Sequence, residues 1–218
     1  MAAKELVPLA AGERVVTIAP LAEGGSPGLA LGTRLGTVKV CAPEWPVRSD
    51  EFEVITLREG DEVVGATWLV DGSETVAFVS SDASLLHCAA AVVRPQGLKG
   101  GGMAGIKLAA GAEVVFFGAV GTGDVEHGEP MVVTSTGRMV KVTPFREYPA
   151  KGRATGGVRA QRFLKGDSRL RLAWVGPRPA GVSEGGIAVE LPEVDDRRDG
   201  SGSAHPGPDM VGHLIERG

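Results

Sequence analysis

Short runs rich in Val, Ile and Leu alternate with turns rich in Gly, Pro, Ser and Asp along most of the chain. Short apolar runs bounded by such turns are typical of β-strands. The pattern predicts strands in four successive groups. They cover residues 14–21, 28–34, 36–42 and 52–57, then 62–70, 75–82, 84–90 and 104–108, then 113–120, 130–136, 138–144 and 158–164, and finally 169–176 and 186–191.

The four groups are copies of one repeat. Gly12, Gly60, Gly111 and Gly166 each precede the first strand of a group, at spacings of 48, 51 and 55 residues. Four strands in about 50 residues indicate a blade of a radial β architecture. The predicted units are about 9–57, 58–108, 109–164 and 165–191, or about three and a half blades. Because complete propellers have about four to eight blades, we expect a C-terminal piece of a larger protein, an open arc, or a ring completed by self-association.

Composition supports an all-β fold, because the chain has 33 Gly, 14 Pro and few aromatic residues. Residues 1–192 form the predicted folded part. Residues 193–218 are polar and rich in Gly and Pro, which predicts a disordered acidic tail.

Charges interrupt the apolar residues near the N-terminus, so we expect a cytoplasmic protein without a membrane partner. Cys41 and Cys88 are predicted to be free thiols buried in strands.

Charge is unevenly distributed around the formal net value of -4. Residues 94–178 carry 14 basic and 6 acidic side chains, whereas both flanking regions are acidic. Ten of the cations lie between Arg138 and Arg171, against Glu147 and Asp167 alone. Such a density favours a surface for phosphate backbones. The alternative is that the cations solvate sheet edges and block edge-to-edge pairing.

Other chemistry has little support in the sequence. A serine nucleophile motif, a zinc-protease motif and a Cys/His pair are all lacking. Asp124, Glu126, His127 and Glu129 could hold a divalent ion, although one His among carboxylates is more often a solvated turn. We therefore predict no metal, no cofactor and no independent enzyme.

Two Gly-rich segments resemble a known family. RPQGLKGGGMAGIKLAAGAEVV (94–115) and TSTGRMVKVTPFREYPAKGRATGGVRAQRFL (134–164) are similar to the C-terminal domain of the A subunits of bacterial type IIA topoisomerases, DNA gyrase and topoisomerase IV. Within this family, the sequence most resembles the topoisomerase IV-like A subunits of actinobacteria. The matching positions are Arg94, Pro95, Gly97, Gly102, Gly105, Ile106 and Leu108, then Gly137, Lys141, Thr143, Pro144, Tyr148, Gly152, Gly156, Gly157 and Val158.

The resemblance implies a partial β-pinwheel, a propeller-like ring that binds and bends double-stranded DNA around its basic rim. Contacts to phosphates would be non-specific and dependent on salt. The resemblance and the basic island together predict twelve DNA-binding residues: Arg94, Lys99, Lys107, Arg138, Lys141, Arg146, Lys151, Arg153, Arg159, Arg162, Lys165 and Arg169. The resemblance also implies association with the nucleoid. The further expected partners are the rest of a topoisomerase A subunit and its ATPase B subunit.

Some family features do not occur in this sequence. Neither a breakage-reunion domain nor an ATP-binding signature is present, so the chain is not expected to cleave DNA by itself. The gyrase box QRRGGKG is absent, and the corresponding first loop, PEWPVRSDEF (43–52), is acidic, which argues against chiral wrapping of the gyrase kind. The acidic residues 190–199 are predicted to compete with DNA for the rim. The alternative function is a propeller-like protein-interaction module.

Overall fold

The computed structural model describes residues 9–20, 25–49, 51–121 and 128–213, where regular structure consists of β-strands and two single 3₁₀ turns. The all-β prediction is confirmed. The strands are β1 Gly28–Thr33, β2 Thr37–Cys41, β3 Val63–Leu69, β4 Thr75–Ser80, β5 Ser84–Ala89, β6 Met103–Ala104, β7 Val114–Val120, β8 Pro130–Ser135, β9 Met139–Pro144, β10 Val158–Arg159, β11 Leu172–Pro177, β12 Pro179–Val182, β13 Ala188–Val189, β14 Ser203–Ala204 and β15 Met210–His213. The 3₁₀ turns are Ala90–Val92 and Phe145–Glu147.

The strands form four antiparallel sheets, which are the blades of the pinwheel. From the inner to the outer strand, blade 1 is β3-β1-β2-β6, blade 2 is β7-β4-β5-β10 and blade 3 is β11-β8-β9-β14. Blade 4 has three strands, β15-β12-β13, where the sequence predicted half a blade. Residues of β3, β7, β11 and β15 line one central cavity of about 530 Å³, so the inner strands surround a common axis.

Blades 1 and 2 are each assembled from two repeat units, and blade 3 combines strands of the third and fourth units with β14 from the predicted tail. β3 and β6 belong to the second predicted unit, but they pair with β1 and β2 of the first, in a register that places Leu29 opposite Trp68 and Thr37 opposite Ala104. The assumption that one unit makes one blade is therefore wrong. Apolar periodicity locates strands, whereas the pairing partner depends on how the chain crosses between blades.

Two predicted strands lack regular structure. The described part of the first one, residues 14–20, lies along the inner strand of blade 1, where the Arg14 guanidinium donates to the Val63 carbonyl at 3.3 Å. In later units the first strand pairs with strands of the preceding unit, and the described chain has no such strands before residue 14. Residues 52–57 cover the outside of blade 1, with Ile55 buried.

The predicted disordered tail is wrong for residues 193–213, whereas residues 214–218 lie outside the described part of the chain. β14 adds the outer strand of blade 3 by pairing with β9. β15 is the inner strand of blade 4 and pairs with β12 over Pro179–Val182. This polar segment satisfies the backbone groups of neighbouring strands rather than building its own core, which explains why its composition resembles disorder.

Apolar clusters fill the spaces between neighbouring blades. Phe78 and Phe117, with ring centroids 4.8 Å apart, are in the cluster between blades 1 and 2. Gly32 in β1 permits the close approach of Phe117 to blade 1, since a Cβ there would lie 2.1 Å from Phe117 Cγ. Further clusters lie between blades 2 and 3 and between blades 3 and 4. Cys41 and Cys88 are buried free thiols, as predicted.

Tight turns join the second and third strands of each of the first three blades. Gly36 and Gly137 adopt φ values of 86° and 90° in blades 1 and 3, in the left-handed region that glycine adopts without strain. Ala83 occupies the matching turn of blade 2 with φ of 62°. The shared geometry shows that the turn, and not only the strands, repeats along the chain.

Candidate nucleic-acid interface

Three loops lie at the outer edges of blades 1 to 3. They comprise residues 94–102, 147–157 and 193–202, and are called loops A, B and C. Each loop hydrogen-bonds to the third strand of its blade: Gln96 N to Val40 O at 2.8 Å, Lys151 N to His87 O at 3.0 Å, and Asp195 N to Val142 O at 2.8 Å. The short outer strands β6, β10 and β14 follow these loops. The three loops are therefore equivalent positions of the repeat.

Loops B and C are also joined to the outer strand of the blade before them. In loop B, Arg153 Nη1 donates to Ala104 O at 2.6 Å, and Thr155 O accepts from Lys107 N at 3.0 Å. In loop C, Gly200 O accepts from Arg162 N at 3.0 Å. These contacts connect residues 94–107, 147–162 and 193–204 into one band, called the outer rim.

Six predicted DNA-binding residues on the outer rim are solvent-exposed. No side chain of these six forms an ion pair with a carboxylate among the described residues. They are called the rim cations and comprise Arg94, Lys99, Lys107, Lys151, Arg159 and Arg162. An exposed cation without an acidic neighbour is available to an external anion, so this band can contact a phosphate backbone.

Lys141 does not face the solvent, and its prediction as a DNA-binding residue is wrong. Its side chain is 1% exposed, and its Nζ donates to Thr143 Oγ1, to Ala160 O at 3.2 Å and to Arg198 O at 3.1 Å. Burial lowers the pKa of this ammonium to about 8. It remains charged at neutral pH, but inside blade 3.

Arg153, by contrast, is half-buried, and its guanidinium bridges loop B to β6. We therefore interpret it as a residue that joins two blades.

Three of the predicted arginines are neutralised in part by carboxylates. Arg138 lies 3.9 Å from Asp167, and Arg169 lies 2.5 Å from Glu113. Arg146 pairs with Glu129, Glu147 and Asp196. Arg138 and Arg169 line a pocket of about 230 Å³ at the β8–β9 turn. Lys165 is exposed in the segment that leads to this pocket.

Loop C contains two arginines that lie in the predicted disordered tail. Arg198 Nη1 donates to Arg159 O at 3.4 Å, and Arg197 pairs with Asp195 at 3.0 Å. The hydrogen bond from Arg197 lowers the pKa of Asp195. Loop C could have been identified from the sequence, because a Pro stands near its start and Gly follows, as in loops A and B.

Four acidic residues lie in loop C with the two arginines, whereas loops A and B are net basic. The positive character of the outer rim is therefore concentrated on blades 1 and 2.

Other kinds of site have no support in the described ranges. These residues include no group of three or more His, Cys, Asp or Glu that could hold a metal ion. The segment 124–129, which the sequence favoured as a solvated turn over a divalent site, lies mostly outside them. No helix in the described part of the chain could span a membrane.

A family model described as DNA gyrase C-terminal domain, beta-propeller, matches residues 53–67, 74–120 and 130–172. The DNA gyrase A subunit of Salmonella typhimurium is 34% identical over 157 residues, which are 70% of this chain and 17% of that protein. Topoisomerase subunit TopoM of Mycolicibacterium smegmatis is 36% identical over 99 residues, or 45% of this chain and 13% of that protein. The predicted actinobacterial character stays a prediction.

Two solved structures share the fold. The C-terminal domain of DNA topoisomerase IV has a TM-score of 0.75 at 19% identity, and the alignment covers 95% of this chain and 68% of that one. The DNA gyrase A C-terminal domain has a TM-score of 0.71 at 20% identity, covering 95% and 71%. The arrangement of blades in this chain thus matches that of both domains.

Proposed function

Since the chain belongs to the DNA gyrase C-terminal domain family of β-propellers, we propose that it binds and bends double-stranded DNA as an accessory domain of a type IIA topoisomerase. The observation that supports this proposal is the outer rim, where hydrogen bonds join loops of successive blades and six cations are exposed without acidic partners among the described residues. Ammonium and guanidinium groups that are free of carboxylates release counterions from DNA when they bind its phosphates.

The contact is with the phosphate backbone, and binding does not depend on base sequence. The rim passes from blade 1 to blade 2 through residues 104–107 and 152–155, which places cations on both sides of a blade boundary. A duplex that follows this curved edge must bend, and additional phosphate contacts offset the deformation energy. The DNA path ends at loop C, because Asp195, Asp196 and Asp199 repel phosphates there.

The chain acts without cleaving DNA by itself, in the cytoplasm at the nucleoid. Because it corresponds to 17% of the length of the gyrase relative from Salmonella typhimurium, strand passage belongs to the remainder of an A subunit together with an ATPase B subunit. These are its proposed protein partners.

Fluorescence anisotropy with a labelled duplex tests the proposal. We expect Lys107→Glu/Lys151→Glu to weaken binding at low salt, since both charges lie where loop B joins the edge of blade 1. The matched control is Arg58→Glu, an exposed arginine close in sequence to Glu59, Asp61 and Glu62. It should bind as the parent protein does. Equal affinities for the rim variant and the parent protein would contradict the proposal, and a circularisation assay on short duplexes tests bending.

A further inference from the structure

Two lysines are buried in equivalent positions of the repeat. Lys39 in β2 is 0% exposed and Lys141 in β9 is 1% exposed. Neither forms an ion pair with a carboxylate among the described residues. A buried ammonium is costly unless its hydrogen-bonding capacity is satisfied. The partners of the two Nζ atoms therefore indicate why lysine is present in these strands.

Each Nζ donates three hydrogen bonds, the full capacity of an ammonium group. Lys39 donates to the carbonyls of Val54, Gly97 and Leu98 at 2.7, 2.7 and 2.9 Å. Its acceptors include two consecutive carbonyls of loop A. Lys141 binds Arg198 O in loop C, Ala160 O after β10, and Thr143 Oγ1 in its own strand. Both ammonium groups therefore join an outer loop to the third strand of a blade.

The carbonyl next to each lysine adds a second attachment. Val40 follows Lys39 and accepts from Gln96 N, whereas Val142 follows Lys141 and accepts from Asp195 N. Each of these loops is thus held to the third strand by this backbone hydrogen bond and by the lysine side chain one residue earlier in the strand. In loop A, Ala42 N also donates to Gln96 O at 2.9 Å. A neutral side chain could not satisfy the same acceptors, because it has fewer N–H or O–H donors.

In blade 2 the residue at the matching register position is Leu86, which lies opposite Phe78 as Lys39 lies opposite Leu31. The next residue, His87, contacts the outer loop instead. His87 is 8% exposed, and its ring Nε2 lies 2.7 Å from Tyr148 O in loop B. Loop B is attached to blade 2 by the His87 ring and by the hydrogen bond from Lys151 N to His87 O. The Arg153 guanidinium joins the same loop to blade 1, because it donates to Ala104 O in β6.

We propose that Lys39 and Lys141 are positioning residues, whose buried ammonium groups hold loops A and C against the third strands and so keep the outer rim in register. This inference deepens the proposed function and rests on it, because the fixed loops carry or adjoin the rim cations. Arg162, for example, is attached to loop C through Gly200 O. Lys141 supports DNA binding through the shape of the rim and makes no phosphate contact.

Amide hydrogen exchange of the free protein tests the positioning role without DNA. Lys141→Met should raise exchange in residues 195–200 by about tenfold, the effect of losing a buried attachment. Exchange in loop A should stay unchanged, and Lys39→Met should have the reciprocal effect. The matched control is Lys151→Met, which changes an exposed lysine of loop B. Unchanged exchange of loop C in Lys141→Met would overturn the proposal.

DNA titrations over a range of salt concentrations separate positioning from phosphate contact. We expect Lys141→Met to weaken binding while the slope of log K against log salt stays that of the parent protein. Lys151→Met should reduce the magnitude of the slope by about 0.9, the value for one phosphate contact. An equal reduction in Lys141→Met would overturn the positioning role. If the parent protein fails to bind DNA while exchange responds as expected, only the proposed function is refuted.

A measurement on the parent protein applies even if the variants fail to fold. Nitrogen-15 NMR of lysine side chains should detect protected ammonium signals from Lys39 and Lys141 at neutral pH, because all their N–H bonds are occupied in the interior. The exposed lysines should exchange rapidly with water. The lack of any protected ammonium signal would overturn the proposal.

Discussion

The salt dependence of DNA binding gives the sharpest measure of the proposed interface. The perturbation is Lys107→Gln/Lys151→Gln, which removes two of the six rim cations without introducing negative charge. Both side chains are exposed. The backbone contacts of these residues, Lys107 N to Thr155 O and Lys151 N to His87 O, remain possible in the variant. The change is thus confined to charge.

The expected magnitude follows from the number of rim cations. If all six contact phosphates, log K falls with log salt at a slope of about -5.4, and affinity falls about 1,800-fold between 50 and 200 mM salt. With four cations the slope becomes about -3.6, and the same change in salt weakens binding about 150-fold.

Fluorescence anisotropy with a labelled duplex at five salt concentrations measures both slopes. Arg169→Gln serves as control, because Arg169 is already paired with Glu113 at 2.5 Å, and its slope should equal that of the parent protein. An unchanged slope in the double variant would refute the assignment of Lys107 and Lys151 to the phosphate contact, whatever the absolute affinity.

Three other outcomes are expected. Phe78→Ala should lower the free energy of unfolding by about 3–5 kcal/mol in urea titrations, since Phe78 is 0% exposed and packs on Phe117; a loss below about 1 kcal/mol would contradict this packing. Truncation after Leu191 should destabilise blades 3 and 4 and weaken DNA binding, because β14 and β15 are lost; tighter binding at low salt would instead support the acidic-competitor prediction. Finally, the difference in unfolding free energy between the parent protein and Lys141→Met should increase in favour of the parent protein as the pH rises from about 8 to the ordinary lysine pKa of 10.5. In this window Lys141 is still protonated in the unfolded state but has lost its proton in the folded state. A difference that does not change with pH would contradict the lowered pKa.

The acidic segment illustrates how a compositional argument failed. Residues 193–213 are polar and lack periodicity, yet they supply strands to blades 3 and 4. Strands that complete the edge of an existing sheet need few apolar side chains of their own, because the preceding blades already form the core. Loop C therefore lies within the outer rim as a fixed mixed-charge element.

The sequence alone determined the strands and the repeat. Apolar runs such as 75–82 and 138–144 coincide with β4 and β9, and the turns at Gly36 and Gly137 recur because each requires a left-handed residue. The basic island was also evident, and all six rim cations were among the residues predicted from the sequence. These features are local, because side-chain hydrophobicity and backbone preference act over a few residues.

Only the tertiary structure decided which strands share a blade and which cations face outward. β6 pairs with β2 from more than 60 residues earlier, and Lys141 is buried because Arg198, 57 residues later, supplies a carbonyl to its ammonium group. β9 is almost entirely buried, so alternation along the strand could not distinguish an inward lysine from an outward one. Burial of a charge depends on partners that the chain brings from a distance, and no local pattern encodes them.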